Sequence, residues 1–364
     1  MRVLLVITGL GVGGAERQVL DIADSLCLLG HEVVICYLTG SASLSPKSKT
    51  IKMYGLDTRK TIFSLIKSGL SIRHIVKTFQ PDVVHSHMVH ANLLMRVMRI
   101  FVRMPKLVCT AHNTYEGGPL RMLCYRLTAS LADCTTNVST EAVAAFESSG
   151  AVAPGRMIAV PNGIDTQRFR SMPNARNSFR KKVGAEESVF VILAVGRLTD
   201  AKDYPNLLRA YSTLQLSHQN TELWIIGDGD LKHTLIQMAA NLCIRDRVRF
   251  LGIQSEIEYW MNAADIFVLS SAWEGFGLVV AEAMACEKLV VATDAGGVRE
   301  VLSGAGFLVP KNRPDLLAEA LSKAVVLEPD TVKHLGQQAR AHIIKSYSLE
   351  KSVQQWLEIY SRDI

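Results

Sequence analysis

The sequence predicts an α/β protein built from two doubly wound domains, each with a parallel sheet covered by helices. The chain has 364 residues, and at roughly 150 residues per domain that length suggests two domains. Short β-branched runs alternate with longer amphipathic segments, which is the pattern of βαβ units. The alternation breaks once, at Thr166–Asn177, a polar, basic and proline-containing stretch that we expect to be a linker.

Five strands and four helices are predicted before this break. Each strand is a short apolar run, and each helix is a longer segment with periodic apolar positions. The predicted strands are Val3–Thr8, Glu32–Leu38, Asp82–Ser86, Lys106–Ala111 and Asp133–Val138. The predicted helices are Ala15–Leu29, Thr61–Phe79, His90–Val102 and Pro119–Leu131.

The same alternation resumes after the break. The predicted strands are Val189–Val195, Glu222–Gly227, Val248–Leu251, Ile266–Ser270 and Lys288–Ala292. The predicted helices are Asn206–Ser217, Leu231–Cys243, Ile257–Asn262, Leu278–Ala285, Thr331–Lys345 and Leu349–Tyr360.

Three segments follow from this pattern. We expect Rossmann-like domains at residues 1–165 and 166–345, and a C-terminal helix at 346–364 that packs back on the first domain. Open parallel sheets bind ligands beyond the carboxyl ends of their strands. The two domains are therefore expected to face each other across a cleft that holds the ligand.

The composition excludes several classes of protein. Hydrophobic residues make up 48% of the chain and charged residues 20%, which argues against a disordered or fibrous protein. The seven cysteines are odd in number and scattered, without the spacing of a disulfide framework or a zinc site. No uncharged apolar run approaches the length of about 18 residues that a spanning helix needs. We therefore expect a cytoplasmic protein.

The charge is distributed unevenly between the two halves. Residues 1–170 contain 19 Lys and Arg against 11 Asp and Glu, a balance of +8, whereas residues 171–364 contain 21 against 23, a balance of −2. The basic half has no recognisable nucleic-acid motif. This balance therefore favours an anionic surface or a small anionic ligand over nucleic acid.

One segment of the basic half has the pattern of a membrane-surface helix. Arg96, Arg99 and Arg103 are predicted to share one helix face in an otherwise apolar segment. Such a face either lies on anionic lipid or is the wet edge of an ordinary sheet-packing helix. Basic residues on the preceding segment favour the membrane; they are Lys60, Lys67, Arg73 and Lys77.

A glycine-rich turn follows the first predicted strand. Gly9–Gly14 fits the pattern G-x-G-x-x-G and precedes a helix. A nicotinamide site also requires an acid at the end of the second strand, and Cys36–Thr39 contains none. The turn therefore predicts either a simple strand-to-helix connection or a backbone that approaches an anion or sugar closely at a helix N-terminus.

The segment Ser271–Glu282 carries a stronger signal. Its glycines follow an apolar strand and precede a helix that begins near Gly277, so the free N–H groups of the first turn form an anion site suited to phosphates. Glu282 lies one turn into this apolar helix, where a carboxylate is costly unless donors such as sugar hydroxyls pair with it.

Glu274 and Glu282, with seven residues between them, resemble the E-x7-E motif of the GT-B retaining glycosyltransferases of family 4, of the bacterial surface-polysaccharide type. The resemblance covers nearly the whole chain. The other matching segments are Gly13–Glu16, Ala111–Asn113, Pro161–Asp165, Gly196–Leu198 with Lys202, Ile226–Gly229, and Gly296–Gly297 before Glu300.

The resemblance implies a role for each matching residue of the second domain, which would bind the nucleotide-sugar. Arg197 and Lys202 would hold the donor diphosphate. The bidentate guanidinium of Arg197 and the ammonium of Lys202 would stabilise the leaving group without a metal. Glu282 would bind the ribose, and Glu274 would contact the donor sugar and act with the cations in catalysis. Backbone N–H groups would reach phosphate and sugar from Phe276, Gly277 and Leu278.

The first domain would lie on the acceptor side. There the resemblance implies that His112 contacts the transferred sugar across the cleft as a catalytic residue, and that Gly13 and Gly14 approach the donor. No obvious buried carboxylate offers a base for inversion. The resemblance therefore implies retention by front-face attack, in which the leaving phosphate takes the proton of the acceptor.

Two other patterns are interpreted as structural. Asp228, Gly229 and Asp230 resemble a D-x-D metal site, but they follow a strand at a glycine turn, so we expect a turn with a helix cap. His85 and His87 lack further clustered ligands for a metal. No metal and no cofactor are therefore expected, the nucleotide-sugar being a substrate.

These observations predict a metal-independent, retaining glycosyltransferase. We expect it to move a hexose or N-acetylhexosamine from a nucleotide-diphosphate donor, UDP-linked, to a lipid diphosphate-linked glycan in polysaccharide or lipopolysaccharide assembly, on the inner face of the cytoplasmic membrane. Two alternatives remain open at this stage. A sugar-nucleotide 2-epimerase shares two such domains, and a non-catalytic nucleotide-sugar-binding subunit would share the donor site.

Overall fold

The computed structural model describes residues 1–59 and 61–362. It divides the chain into two compact units. The first unit contains Met1–Gly163 and the C-terminal segment that begins at Leu349, and the second contains Ile164–Ser348. Each unit has its own parallel sheet, and in the part of the chain described no helix has the length and hydropathy to cross a membrane.

The sheet of the first unit has seven strands in the order β3-β2-β1-β4-β5-β6-β7. All neighbouring pairs are parallel. The strands are β1 (Arg2–Gly9), β2 (Glu32–Thr39), β3 (Lys52–Gly55), β4 (Val83–His87), β5 (Leu107–Thr110), β6 (Cys134–Asn137) and β7 (Ile158–Ala159). Central strands such as β4 are buried throughout, because helices cover both faces of the sheet.

Five helices connect these strands, with a short 3₁₀ turn at Ala129–Leu131. They are α1 (Gly14–Leu28), α2 (Ile62–Phe79), α3 (Val89–Phe101), α4 (Pro119–Leu127) and α5 (Thr140–Ser148). Helices α2 and α3 cover the same face of the sheet, since buried residues of both lie in one apolar cluster with the strands. Helix α1 packs on the opposite face.

The sheet of the second unit has six parallel strands in the order β10-β9-β8-β11-β12-β13. The strands are β8 (Phe190–Val195), β9 (Thr221–Ile226), β10 (Val248–Gly252), β11 (Ile266–Leu269), β12 (Leu289–Thr293) and β13 (Phe307–Val309). The order reverses direction between β8 and β11. This is the point in a doubly wound sheet where ligands bind, beyond the carboxyl ends of the strands.

The helices that follow are numbered on from the first unit. They are α6 (Pro173–Lys182), α7 (Tyr204–Gln215), α8 (Lys232–Asn241), α9 (Ile257–Ala263), α10 (Leu278–Ala285), α11 (Val298–Leu302), α12 (Pro314–Val325), α13 (Pro329–Tyr347) and α14 (Leu349–Ser361). Short 3₁₀ turns lie at Asp200–Lys202 and Arg245–Arg247.

Helix α14 belongs to the first unit although it ends the chain. Trp356 and Tyr360 lie in the apolar cluster that also contains β1 and α1. Lys106 donates from Nζ to the carbonyl oxygen of Tyr360 at 3.3 Å. A cation near the last carbonyls of a helix is favourable because the helix dipole is negative there.

The structure corrects several details of the predicted elements. The stretch expected to be a linker contains the start of α6, because a proline is tolerated in the first turn of a helix and Ala175 and Phe179 are buried. The prediction missed the short elements β3, β7, β13 and α11, and it also missed the helices α5 and α12.

Candidate functional site

The candidate donor site lies on loops at the carboxyl edge of the second sheet. The loop after β8 carries Arg197 and Lys202, and the loop after β11 carries Glu274. The two strands are neighbours. The topology therefore brings together side chains that lie more than 70 residues apart in the sequence.

Lys202 and Glu274 form a partly buried ion pair. The ammonium of Lys202 donates to Oε1 of Glu274, and the two side chains are 20% and 13% exposed. Ser271, which is fully buried, donates from Oγ to the same carboxylate oxygen at 2.6 Å. The carboxylate is therefore held in one orientation by a charge and a hydroxyl.

Main-chain hydrogen bonds join the two loops that carry this pair. The N–H of Ala272 donates to the carbonyl oxygen of Ala201 at 2.9 Å, and Oγ of Ser270 donates to the carbonyl oxygen of Lys202 at 2.8 Å. The two loops that carry the ion pair are therefore linked to each other by hydrogen bonds.

Arg197 lies at the start of the first loop. Its side chain is exposed, and among the described residues the structure records no hydrogen bond or ion pair for it. The preceding Gly196 is packed against Gly227, which has a φ of 140° and leaves no room for a Cβ. This close approach brings the loop of Arg197 beside the turn after β9.

The segment Phe276–Leu278 begins helix α10. Gly277 is its N-cap, with a φ of 86° that favours glycine. The aromatic ring of Phe276 is buried against Tyr347. Phe276 can therefore offer only its main chain to a ligand.

Glycine is also required at position 296, where the loop after β12 contacts the main chain of Glu274. A Cβ on Gly296, whose φ is 58°, would overlap the carbonyl oxygen of Glu274. The loop after β12 thus supports the loop after β11 by direct backbone contact.

Glu282 is the fifth residue of α10 and is buried. Of the residues predicted to bind the donor, the second unit holds Arg197, Lys202, Glu274, Phe276, Gly277, Leu278 and Glu282. All of them lie on the loops after β8 and β11 or on α10.

The helix cap predicted at Asp228 and Asp230 is wrong. The N-cap of α8 is Leu231, whose apolar side chain forms no capping hydrogen bond. Asp228 instead accepts hydrogen bonds from Nζ of Lys232 at 2.8 Å and from the N–H of Gly229 at 2.8 Å, which together hold its pKa below the usual range. Within residues 1–59 and 61–362 there is no group of three or more His, Cys, Asp or Glu that could hold a metal ion.

His112 lies in the first unit, just after β5. It is half-buried, and Nε2 of its ring lies 3.1 Å from Nδ1 of His87 at the end of β4. Burial lowers the pKa of His112 to about 4. His112 is therefore a neutral imidazole at physiological pH.

Glu116 is a buried carboxyl that no sequence pattern indicates. Its Oε1 accepts from the backbone N–H of His112 at 3.1 Å, and its Oε2 accepts from the hydroxyl of Tyr125 at 3.0 Å. Burial raises its pKa to about 7. Both oxygens of this buried carboxyl serve to hold the loop of His112.

Gly13 and Gly14 lie at the junction of the first strand and helix. Gly13 is the N-cap of α1, and Gly14 is the first residue of the helix. The carboxylate of Glu16 lies against Gly13, where a Cβ would clash with it. The free N–H groups of this helix thus already have an acidic neighbour from their own first turn.

The basic face predicted at Arg96, Arg99 and Arg103 is wrong. Arg96 is fully buried, because Nη2 donates to Oγ1 of Thr135 at 2.9 Å and the guanidinium lies 4.8 Å from the ring centre of Tyr125. Arg99 forms an ion pair with Asp133 across 2.6 Å. Of the three arginines, Arg103 alone is exposed.

A different exposed surface lies on the outer sides of α2 and α3, which we call the α2–α3 surface. Its apolar members on α2 are Phe63, Ile66 and Leu70, and those on α3 are Val97, Ile100 and Phe101. Its basic members, also exposed, are Lys67, Arg73, Lys77 and Arg103. Lys60, which was predicted to belong with these basic residues, lies outside the described part of the chain.

Two family models match the chain. Residues 12–168 match the model described as Glycosyltransferase Family 4, and residues 175–342 match the model described as Glycosyl transferases group 1. The chain therefore belongs to the GT-B glycosyltransferases of group 1 and family 4, a class of retaining enzymes that use nucleotide-sugars.

Individual relatives agree with this assignment. The chain is 28% identical over 290 residues to N-acetyl-alpha-D-glucosaminyl L-malate synthase of Bacillus anthracis, across 77% of this chain and 74% of that protein. It is 26% identical over 309 residues to UDP-Gal:alpha-D-GlcNAc-diphosphoundecaprenol alpha-1,3-galactosyltransferase of Escherichia coli, across 81% and 79%.

A solved structure has the same fold. The crystal structure of HepE from Anabaena in complex with UDP matches with a TM-score of 0.84 and 22% identity, covering 99% of this chain and 100% of that chain. The predicted GT-B fold class, with its two parallel α/β sheets, is therefore confirmed.

Proposed function

We propose that this chain transfers a hexose or N-acetylhexosamine from a UDP-linked donor to a lipid diphosphate-linked glycan, in polysaccharide or lipopolysaccharide assembly. The observation that carries the proposal is the ion pair of Lys202 and Glu274 beside the start of α10. The relative from Escherichia coli is named for a UDP-sugar donor and a diphosphoundecaprenol acceptor. The HepE structure contains UDP.

The ion pair suggests how the donor is engaged. In the structure, the carboxylate of Glu274 neutralises Lys202. A diphosphate carries more negative charge and competes for the ammonium, while Arg197 offers an exposed guanidinium on the same loop. Glu274 is then released to accept hydrogen bonds from hydroxyls of the donor sugar.

The leaving group is expected to need no metal ion. Charge grows on the departing diphosphate as the glycosidic bond breaks, and cations placed beforehand stabilise that charge most in the transition state. Lys202 and Arg197 supply two positive charges, and the N–H groups at the start of α10 supply dipoles. The departing phosphate oxygen then takes the proton from the acceptor hydroxyl.

Two further residues complete the proposed site. Glu282 binds the ribose hydroxyls through its buried carboxylate. His112 contacts the transferred sugar as a neutral ring. Gly13 and Gly14 let the backbone approach the donor at the start of α1.

A donor panel with and without acceptor tests this proposal. We expect UDP to be released when a lipid diphosphate-linked acceptor is present, and Lys202→Ala to lower turnover about 100-fold or more. Lys323→Ala is a matched control, because Lys323 forms an exposed ion pair with Glu319 on α12, and it should leave turnover unchanged.

Three results would overturn the proposal. Equal UDP release by the native and Lys202→Ala proteins would remove Lys202 from the reaction. Conversion of the donor sugar without UDP release would indicate a 2-epimerase. UDP-sugar binding without any turnover of the whole panel would indicate a binding subunit.

We further propose that the chain acts at the inner face of the cytoplasmic membrane through the α2–α3 surface. Six large apolar side chains of this surface are exposed; Phe63 is 87% exposed and Phe101 is 66% exposed. Residues 61–115 contain a single acid, Asp82, which lies outside both helices. Exposed apolar side chains beside exposed basic residues suit an anionic lipid surface.

Vesicle co-sedimentation tests this surface. The native protein should bind vesicles of phosphatidylglycerol and phosphatidylcholine, and binding should fall as salt rises, since each basic residue near anionic lipid contributes about 1 kcal/mol. Joint replacement of Phe63, Ile66 and Leu70 by Ser should abolish binding. The matched control replaces the exposed residues Leu28, Leu216 and Ile253 by Ser. Equal binding by both triple variants would refute the proposal.

A further inference from the structure

The ring of His112 is held by a second histidine on the neighbouring strand. β4 and β5 pair in parallel with His87 opposite Thr110, so the chain after β5 passes directly over the end of β4. This register places Nδ1 of His87 within 3.1 Å of Nε2 of His112. One of the two nitrogens must carry the proton of this hydrogen bond.

The burial of His87 distinguishes the two arrangements. Its Nε2 is buried and has no hydrogen-bond partner among the described residues. If Nε2 of His112 donated, the proton of His87 would lie on this buried Nε2, and a buried N–H without an acceptor is rare and costly. If His87 donates from Nδ1, its Nε2 is a bare ring nitrogen.

We propose that His87 is a positioning residue that donates from Nδ1 to Nε2 of His112 and thereby fixes His112 in the tautomer with its proton on Nδ1. This inference rests on the proposed role of His112 at the donor sugar. Nδ1 of His112 is then a fixed hydrogen-bond donor for an oxygen atom of the sugar.

Residues behind His87 keep its ring in place. The ring of His85 lies against it with 3.9 Å between ring centres. His85 is in turn held at both nitrogens, by the hydroxyl of Tyr360 at 2.7 Å and by Oγ1 of Thr110 at 2.6 Å. Helix α14 therefore supports the ring of His112 through two intervening histidines.

All three rings are neutral, so each carries one ring proton, and its hydrogen bonds determine which nitrogen holds that proton. Burial lowers the pKa of His85 and His87 well below the ordinary histidine value, and it lowers the pKa of His112 to about 4. The backbone of His112 is held separately by Glu116. The ring and the main chain of His112 thus have independent supports.

Nitrogen NMR on the full-length protein, labelled with ¹⁵N in its histidine rings, tests the inference. A ring nitrogen that carries a proton has a different ¹⁵N shift from one that does not. We expect Nδ1 of His112 to carry the proton and Nε2 to be unprotonated. His112→Gln identifies the signals, and His334→Leu, on an exposed residue of α13, is the control.

Two substitutions of His87 add a functional readout. His87→Leu removes the donor, so His112 should exchange between tautomers and kcat/KM for transfer should fall about tenfold, with UDP affinity unchanged. His87→Asn places an amide N–H near the former Nδ1 and should restore both the tautomer and most of the activity.

The outcomes separate this inference from the proposed function. A proton on Nε2 of His112 in the native protein, or an unchanged tautomer in folded His87→Leu protein, would overturn the inference. If both His87 variants fail to fold, the proton position in the native spectrum is sufficient to test the inference. Full activity of His112→Ala would refute the role of His112 at the sugar while the assigned proton position stands.

Discussion

Replacing Gly296 by Ala tests whether the main chain behind Glu274 sets the rate of transfer. Gly296 has a φ of 58°, and a Cβ there would overlap the carbonyl oxygen of Glu274. The substitution therefore has two effects. It strains the backbone of residue 296, and it pushes the loop that carries Glu274.

The two effects have different magnitudes. A non-glycine residue in the left-handed region costs about 1–2 kcal/mol of unfolding free energy. Relief of the overlap requires the carbonyl of Glu274 to retreat by about 1 Å, and a displacement of that size near the reacting atoms lowers rates about 100-fold. The ion pair with Lys202 and the hydrogen bond from Ser271 move with it.

Gly304→Ala separates these effects. Gly304 also has a positive φ, 82°, but a Cβ there meets no atom within 4 Å. Urea unfolding should show a loss of stability in both variants, larger in Gly296→Ala because its Cβ also displaces backbone, whereas kcat/KM for transfer should fall about 100-fold in Gly296→Ala alone. Equal kcat/KM in the two folded variants would refute the support of Glu274 by this loop.

Three more predictions concern the donor site and the loop of His112. Glu282→Ala should weaken binding of UDP and of the donor alike by about 1.5–3 kcal/mol in calorimetric titration; an unchanged Kd in folded protein would contradict its role at the ribose. Burial raises the pKa of Glu116 from 4.5 to about 7, so the folded state holds a proton that the unfolded state releases, and stability should fall by about 3 kcal/mol as pH rises from 4.5 to above 7. Glu116→Gln should lack this fall in urea unfolding at pH 5 and pH 8, and the same fall in both proteins would contradict it. Transfer should persist in chelator, whereas a loss that manganese restores would make Asp228 and Asp230 metal ligands.

Much of the second unit was predictable because its signals are local. Helix α10 begins and ends at the predicted residues, Leu278 and Ala285, since two glycines precede a run that is apolar except for Glu282. No sequence pattern indicated a role for Ser271. Its hydroxyl matters only because the turn after β11 brings it to 2.6 Å from the carboxylate of Glu274.

The predictions failed at residues whose burial is determined by tertiary contacts. Arg96 has the spacing of a surface residue, yet it is buried because Tyr125 and Thr135 lie around it. Glu116 stands in a glycine-rich loop without any helical or strand pattern. Nothing in the sequence near it indicates that the backbone of His112 and the hydroxyl of Tyr125 surround its two oxygens.

The anomeric configuration of the product tests sugar transfer by this chain most directly. The native protein should be incubated with an α-linked UDP-sugar and a lipid diphosphate-linked acceptor, and the purified product examined by NMR. We expect an α-linked product and one UDP released for each linkage formed, only in the presence of acceptor. A β-linked product, or no acceptor-dependent UDP release with any donor of the panel, would contradict retaining transfer.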